Sequence, residues 1–119
     1  MAKAGRNKVY CCSVEVTLAV IGGKWKSVIL HLLMQRRVIR FGELRRSLPK
    51  VTAQMLTAQL RELESDGVVH RKMYPQVPPK VEYSLTPFGE TLAPIIRVMA
   101  TWGESYARDS GKRISLVPK

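Results

Sequence analysis

The sequence predicts a mainly α-helical domain with one small β wing. Three observations lead there. Apolar residues recur at helical spacing in four stretches between Trp25 and Tyr106; two β-type runs, VVHRKMY and VEYSL, follow one another at residues 68–85; and a short helix, a tight turn and a longer helix directly precede them. Helix, turn, helix and hairpin in that order make a winged helix-turn-helix.

The first helix is expected to take Ser13 as its N-cap and to run through SVEVTLAVI until Gly22 and Gly23, which accept the positive φ that ends a helix. A second, from about Trp25 to Met34, places Trp25, Val28, Ile29, Leu32 and Leu33 on one face, which belongs in the core. The basic stretch QRRVIRF breaks that pattern, and its β-branched Val38 and Ile39 favour a short extended segment. FGELRRSL makes a third helix with Phe41, Leu44 and Leu48 on one side, and Pro49 disfavours its continuation.

Thr52 is the expected cap of a fourth helix, AQMLTAQLRELESD, which ends at Gly67 and carries Leu56, Leu60 and Leu63 on one stripe. At about 100° per residue the opposite face is Gln54, Ala58, Arg61 and Ser65, with Thr57 on its flank. Between the two β runs, PQVPPK holds three prolines in five residues, which excludes helix and continued pairing and leaves a stiff hairpin tip. Thr86 as N-cap and Pro87 at the first helical position open a final helix whose apolar side is Leu92, Ile95, Ile96, Met99, Trp102 and Tyr106. Pro94 inside it is expected to remove a hydrogen bond and bend it.

A chain of 119 residues with 45% hydrophobic content fits one domain, read as 9–108, between a flexible basic N-terminal arm at 1–8 and a C-terminal tail at 109–119. Twenty Lys plus Arg against nine Asp plus Glu give a formal charge of +11, which selects polyanionic partners. No window approaches the ~18 uninterrupted apolar residues of a membrane span, and MAKAGRNK leads into no signal-type core, so a cytoplasmic protein without a membrane partner is expected. No residue presents itself as a base for either cysteine, and phosphate or dinucleotide loops are lacking. The expectation is therefore a protein that is not an enzyme and needs no cofactor.

An α-helix fits the major groove, and short side chains in its N-terminal half let the backbone approach base edges. Thr52, Gln54, Thr57 and Ala58 have that character. Gln54 can pair with adenine N6 and N7, Thr57 offers a hydroxyl or a methyl, and Arg61 reaches guanine or a phosphate. Arg36, Arg37, Arg40, Arg45, Arg46 and Lys50 flank this helix, while Arg71, Lys72 and Lys80 flank the hairpin tip, where they suit phosphates. A charge run is commonly a solvated face and nothing more; clustering around one motif is what marks these.

Six segments stand in a telling order: Cys12 with SVE, IGGKW at 21–25, RFGELRRSLP at 40–49, MLTAQLRELESDGVV at 55–69, YPQVPPKVEYSLTPFG at 74–89 and LAPIIRVMATWGESY at 92–106. Together they resemble the HxlR-type winged-helix transcriptional regulators of bacteria, which are related in fold to the MarR regulators. The resemblance implies a homodimer assembled largely by the first and last helices. Val14 and Leu18 on the first, and Leu92, Ile95, Ile96, Met99, Trp102 and Tyr106 on the last, are the corresponding positions. It further implies binding to pseudo-palindromic operator DNA through helix 52–66 and the 68–85 wing, with recognition helices about 34–36 Å apart. The apolar last helix agrees, since that whole stripe is more than one small domain is expected to bury alone. QRRVIR departs from the pattern, because relatives tend to carry a glycine-containing turn there.

Cys11 and Cys12 are the only cysteines. Many of these regulators carry one cysteine just ahead of the first helix, and in several it senses electrophiles or oxidants; Cys12 holds that place, preceded by a second thiol and followed by Ser13 where proline is common. A thiol at a helix N-terminus feels the positive end of the dipole, with Lys8 nearby, so its pKa should fall. The residues alone leave open a small apolar Cys12 with Cys11 a bystander. Zinc is disfavoured, because neighbouring cysteines lack C-x-x-C spacing and His31 and His70 sit on separate elements. The rival class is a basic RNA-binding or ribosome-associated module, which explains the charge but lacks RNP-type aromatics and a GxxG loop.

Overall fold

The computed structural model describes residues 8–115. Apart from Lys8, the arm expected at 1–8 lies outside the described residues, as does the end of the tail. In order along the chain are α1 (Ser13–Ile21), α2 (Lys26–Arg36), β1 (Val38–Arg40), α3 (Phe41–Ser47), α4 (Ala53–Ser65), β2 (Val69–Tyr74), β3 (Lys80–Leu85), α5 (Pro87–Glu90) and α6 (Ala93–Ser110). The fold is mainly helical with a small antiparallel sheet.

The core gathers around α2. Ile29, Leu32 and Leu33 are buried as their spacing predicts, and Leu30 joins them from outside the predicted face. The reason is position: α2 is touched by α1, α4, α6 and the sheet, so more than one of its faces is covered. Leu56, Leu60 and Leu63 of α4 and Leu44 of α3 close the other side. In the turn between α3 and α4, Leu48 and Val51 are both buried, and the Val51 amide donates to the Leu48 carbonyl at 3.0 Å. That anchored turn fixes the angle between the two helices.

Four expectations are corrected. Cys12, not Ser13, is the N-cap of α1, and Ser13 is already helical. The cause is local: the Glu15 amide donates to the Cys12 carbonyl at 3.1 Å while the Glu15 carboxylate accepts the Cys11 amide at 2.6 Å, so the first turn closes one residue early. The final helix is two helices. Thr86 caps α5 as predicted, its Oγ1 accepting from the Gly89 amide at 2.9 Å, but the Thr91 and Leu92 amides turn back to the Phe88 and Gly89 carbonyls and close that helix. Pro94 therefore falls in the first turn of α6, where its missing N–H would have no partner anyway, and it does not bend the helix.

The sheet has three strands, not two, in the order β1-β3-β2. Val38, Ile39 and Arg40 pair with Ser84, Tyr83 and Glu82, which seats Ile39 and Tyr83 side by side in the core and fastens the wing to the segment before α3. At the far end, α6 runs to Ser110 and ends at Gly111 with φ 74°. Gly89 is required by contact: a Cβ there would collide with the Val68 carbonyl.

Candidate nucleic-acid interface

Thr52 starts α4 by accepting the Met55 amide on its Oγ1 at 3.1 Å, so that oxygen serves the helix cap. From there Gln54, Ala58 and Arg61 point to solvent and Thr57 is half-buried on the flank, the arrangement drawn from the 3.6-residue period. Beneath that face lies the Leu56, Leu60, Leu63 stripe, and the buried Lys26 of α2 makes an ion pair with the exposed Glu62. Helix α4 is thereby fixed to the core on its far side.

The wing leans toward this face. A groove of about 380 Å³ is lined by Thr57, Arg61 and Glu64 from α4, Arg71 from β2, Val81 and Tyr83 from β3, and Phe41. Arg61 and Arg71, far apart in sequence, line the same groove. A second notch, of about 250 Å³, brings Arg40 and Arg46 at α3 together with Lys80 at the wing tip. Arg45 and Lys50 are exposed nearby on α3 and its turn, and Lys72 is exposed on β2.

Two of the flanking arginines do something else. The Arg36 guanidinium donates to Ser47 Oγ at 2.7 Å and ties α2 to α3. Arg37 lines a separate groove with Glu90 and Arg97, away from α4. The sequence reading also missed Tyr74 and Glu82. The Tyr74 hydroxyl donates to Glu82 Oε1 at 3.0 Å, Lys80 Nζ lies 3.6 Å from Glu82 Oε2 and 4.4 Å from the Tyr74 ring centroid, and Lys72 Nζ lies 5.0 Å from that centroid. Strand register was the available signal, since it pairs Lys72 with Glu82 and Tyr74 with Lys80. The wing tip is thus a braced cationic cluster.

At the other end, Cys11 and Cys12 are both exposed, with their sulfurs 3.6 Å apart. Hydrogen bonding from the Glu15 amide, then from the Cys11 thiol and the Val14 amide, holds the Cys12 thiol below its ordinary pKa. Cys11 moves the other way, raised first by its hydrogen bond to Cys12 and then by the Glu15 carboxylate. Lys8 sits over the Tyr10 ring at 5.6 Å. Val14 and Leu18 are exposed on α1, and Ile95, Met99, Trp102 and Tyr106 are exposed on α6, the last two rings stacked 5.3 Å apart. Leu92 is half-buried against the core and Ile96 is inside it, so Ile96 faces its own chain.

A helix-turn-helix whose second helix is presented to solvent between basic flanks, beside a basic wing, defines a winged helix-turn-helix DNA-binding transcriptional regulator. Residues 20–111 match the HxlR-like helix-turn-helix family, and the chain belongs to it. It is 60% identical over 95 residues to the uncharacterised HTH-type transcriptional regulator YdeP of Bacillus subtilis (strain 168), covering 80% of this chain and 73% of that one. The fold is similar to the redox regulator HypR in its oxidised form, at TM-score 0.75 and 60% identity over 79% of this chain and 96% of that one. It is also similar to the reduced form of the transcriptional regulator YodB from B. subtilis, at TM-score 0.68 and 32% identity over 82% and 95% of the two chains. The family match begins after the cysteines, which stand ahead of it in the sequence.

Proposed function

We propose that this regulator binds pseudo-palindromic operator DNA as a homodimer, with α4 in the major groove and the β2–β3 wing on the adjoining backbone. Gln54, Thr57 and Ala58 meet base edges, Arg61 reaches a base or a phosphate, and Thr52 stands at the point of entry. Arg40, Arg45, Arg46, Lys50, Arg71, Lys72 and Lys80 meet phosphates. The observation that carries this reading is the groove in which Arg61 of α4 and Arg71 of the wing stand together beside the short side chains of the helix.

Dimerisation rests on what the single chain leaves uncovered. Only Ile21 of α1 is buried, and Val14, Val16 and Leu18 are open to solvent. On α6, Val98 is 68% exposed and Trp102 is 67% exposed. A second copy covering both helices removes that apolar surface from water.

The same reading makes the cysteines a switch: modification of the Cys12 thiolate, or of Cys11, disturbs the N-terminus of a dimer helix and so the distance between the two recognition helices. The kinship with HypR, a redox regulator, supports it. Affinity for the upstream promoter DNA of the protein's own gene, before and after diamide, tests both parts. Tight selective binding that diamide alters in wild type and leaves unaltered in Cys12→Ser is expected. Selective binding indifferent to diamide in wild type, Cys11→Ser and Cys12→Ser would retire the switch and leave the regulator.

A further inference from the structure

The Cys11 and Cys12 sulfurs stand 3.6 Å apart on exposed side chains. Two sulfurs bonded at about 2.3 Å to one pyramidal trivalent centre, at an angle of about 100°, lie about 3.5 Å apart, so one atom can bridge this pair with little movement. The backbone that carries them is already tied. The Cys11 amide is bonded to the Glu15 carboxylate at 2.6 Å and the Cys12 carbonyl to the Glu15 amide at 3.1 Å, so little backbone ordering remains to be done on binding.

The donor count narrows the ligand. Among the described residues no group of three or more His, Cys, Asp or Glu is placed to hold a metal ion, and two thiols alone do not close a zinc shell. They do complete a centre that already carries one carbon substituent and needs two thiolates. We infer that Cys11 and Cys12 form a two-point binding site for monosubstituted trivalent arsenicals. The inference deepens the thiol part of the function proposed above by naming a ligand class, and it does not depend on the DNA part.

The chemistry balances without an oxidant. An arsine oxide, R–As=O, accepts the Cys12 thiolate and then the Cys11 sulfur; two As–S bonds form, the As=O bond breaks, and the oxygen leaves as water with the Cys11 proton and one proton from solvent. Arsenic remains trivalent throughout. The opposite displacements of the two thiols from their ordinary pKa suit this order, with Cys12 supplying the first nucleophile and Cys11 keeping its proton until the ring closes. The product places an organic group at the N-cap of α1, next to the exposed Val14.

The test uses the full chain, phenylarsine oxide as probe, a wash with excess glutathione, and intact-mass spectrometry. Wild type is expected to retain one phenylarsenic group per chain and to release it to an added dithiol. Cys11→Ser and Cys12→Ser should each hold it about 10²-fold less well, because capture then rests on one bond in place of two. Both variants should still react with a maleimide at the remaining thiol, which shows it to be accessible. Retention by either single variant equal to wild type overturns the inference, and so does half a group per chain that survives Cys11→Ser, which would put arsenic between two copies. Untreated DNA affinity is measured alongside. Failed capture with intact DNA binding sinks only this inference; capture without selective DNA binding sinks the operator reading.

Discussion

Arg37 shows what one residue can carry. It closes α2 with φ 70° and ψ −58°, a conformation that an L side chain adopts at a cost of about 1–3 kcal/mol and that glycine adopts freely. The stretch QRRVIR holds no glycine for this turn. Arg37→Gly is therefore expected to stabilise the fold by about 1 kcal/mol in urea unfolding, and, since Arg37 lines a groove away from α4, to leave operator affinity nearly unchanged. A lower urea midpoint would contradict the strain argument. At Cys12 the prediction concerns pH. A depressed pKa means the thiolate persists to lower pH, so the alkylation rate of Cys12 should rise at lower pH than that of Cys11, whose pKa is raised. Rate against pH, read site by site by peptide mass spectrometry, decides it; coincident profiles would remove any basis for treating the two thiols differently. Neighbours can differ as sharply in burial. Ile95 is 40% exposed and Ile96 is 3% exposed, a distinction that helical spacing alone does not make when both are apolar.

Among the elements, α4 was legible and the last helix was not. Thr52 before an apolar stripe with period 3.6 states a cap and a buried face in local terms, and both are present. Pro94 is ambiguous locally, because a proline suits the first turn of a helix and breaks its interior. What decides is the closure of α5 by the Thr91 and Leu92 amides, which apolar spacing does not reveal. The β1–β3 pairing depends on residues more than forty positions apart, and so escapes local reading in the same way. The wing tip extends this to function. Tyr74→Leu removes the ring beneath Lys72 and Lys80, and is expected to lower DNA affinity without changing base preference, whereas Gln54→Ala should relax preference by about 1–3 kcal/mol at one base pair. Competition among duplexes differing at single positions separates the two. A loss of base preference in Tyr74→Leu would mean that the wing reads bases.

At the scale of the molecule, a charge of +11 and an uncovered apolar face on α6 complement each other in the proposed reading: the charge would attract DNA, and the face would join two copies into a reader of two half-sites. Trp102→Glu is expected to dissociate the dimer in sedimentation and to weaken operator binding while the helical circular dichroism persists, because Trp102 is exposed within its own chain. A monomer that binds the operator as tightly as wild type would deny the dimer its role. Hydroxyl-radical footprinting on the gene's own upstream DNA, in the presence of excess random duplex and RNA, decides whether the protein reads an operator. Two protected half-sites are expected on one face of the helix, their centres about 10–10.5 base pairs apart or a multiple of that, in a sequence with approximate two-fold symmetry. Uniform protection that RNA and random DNA remove equally well would contradict it, and would leave a basic domain that binds nucleic acid without reading it.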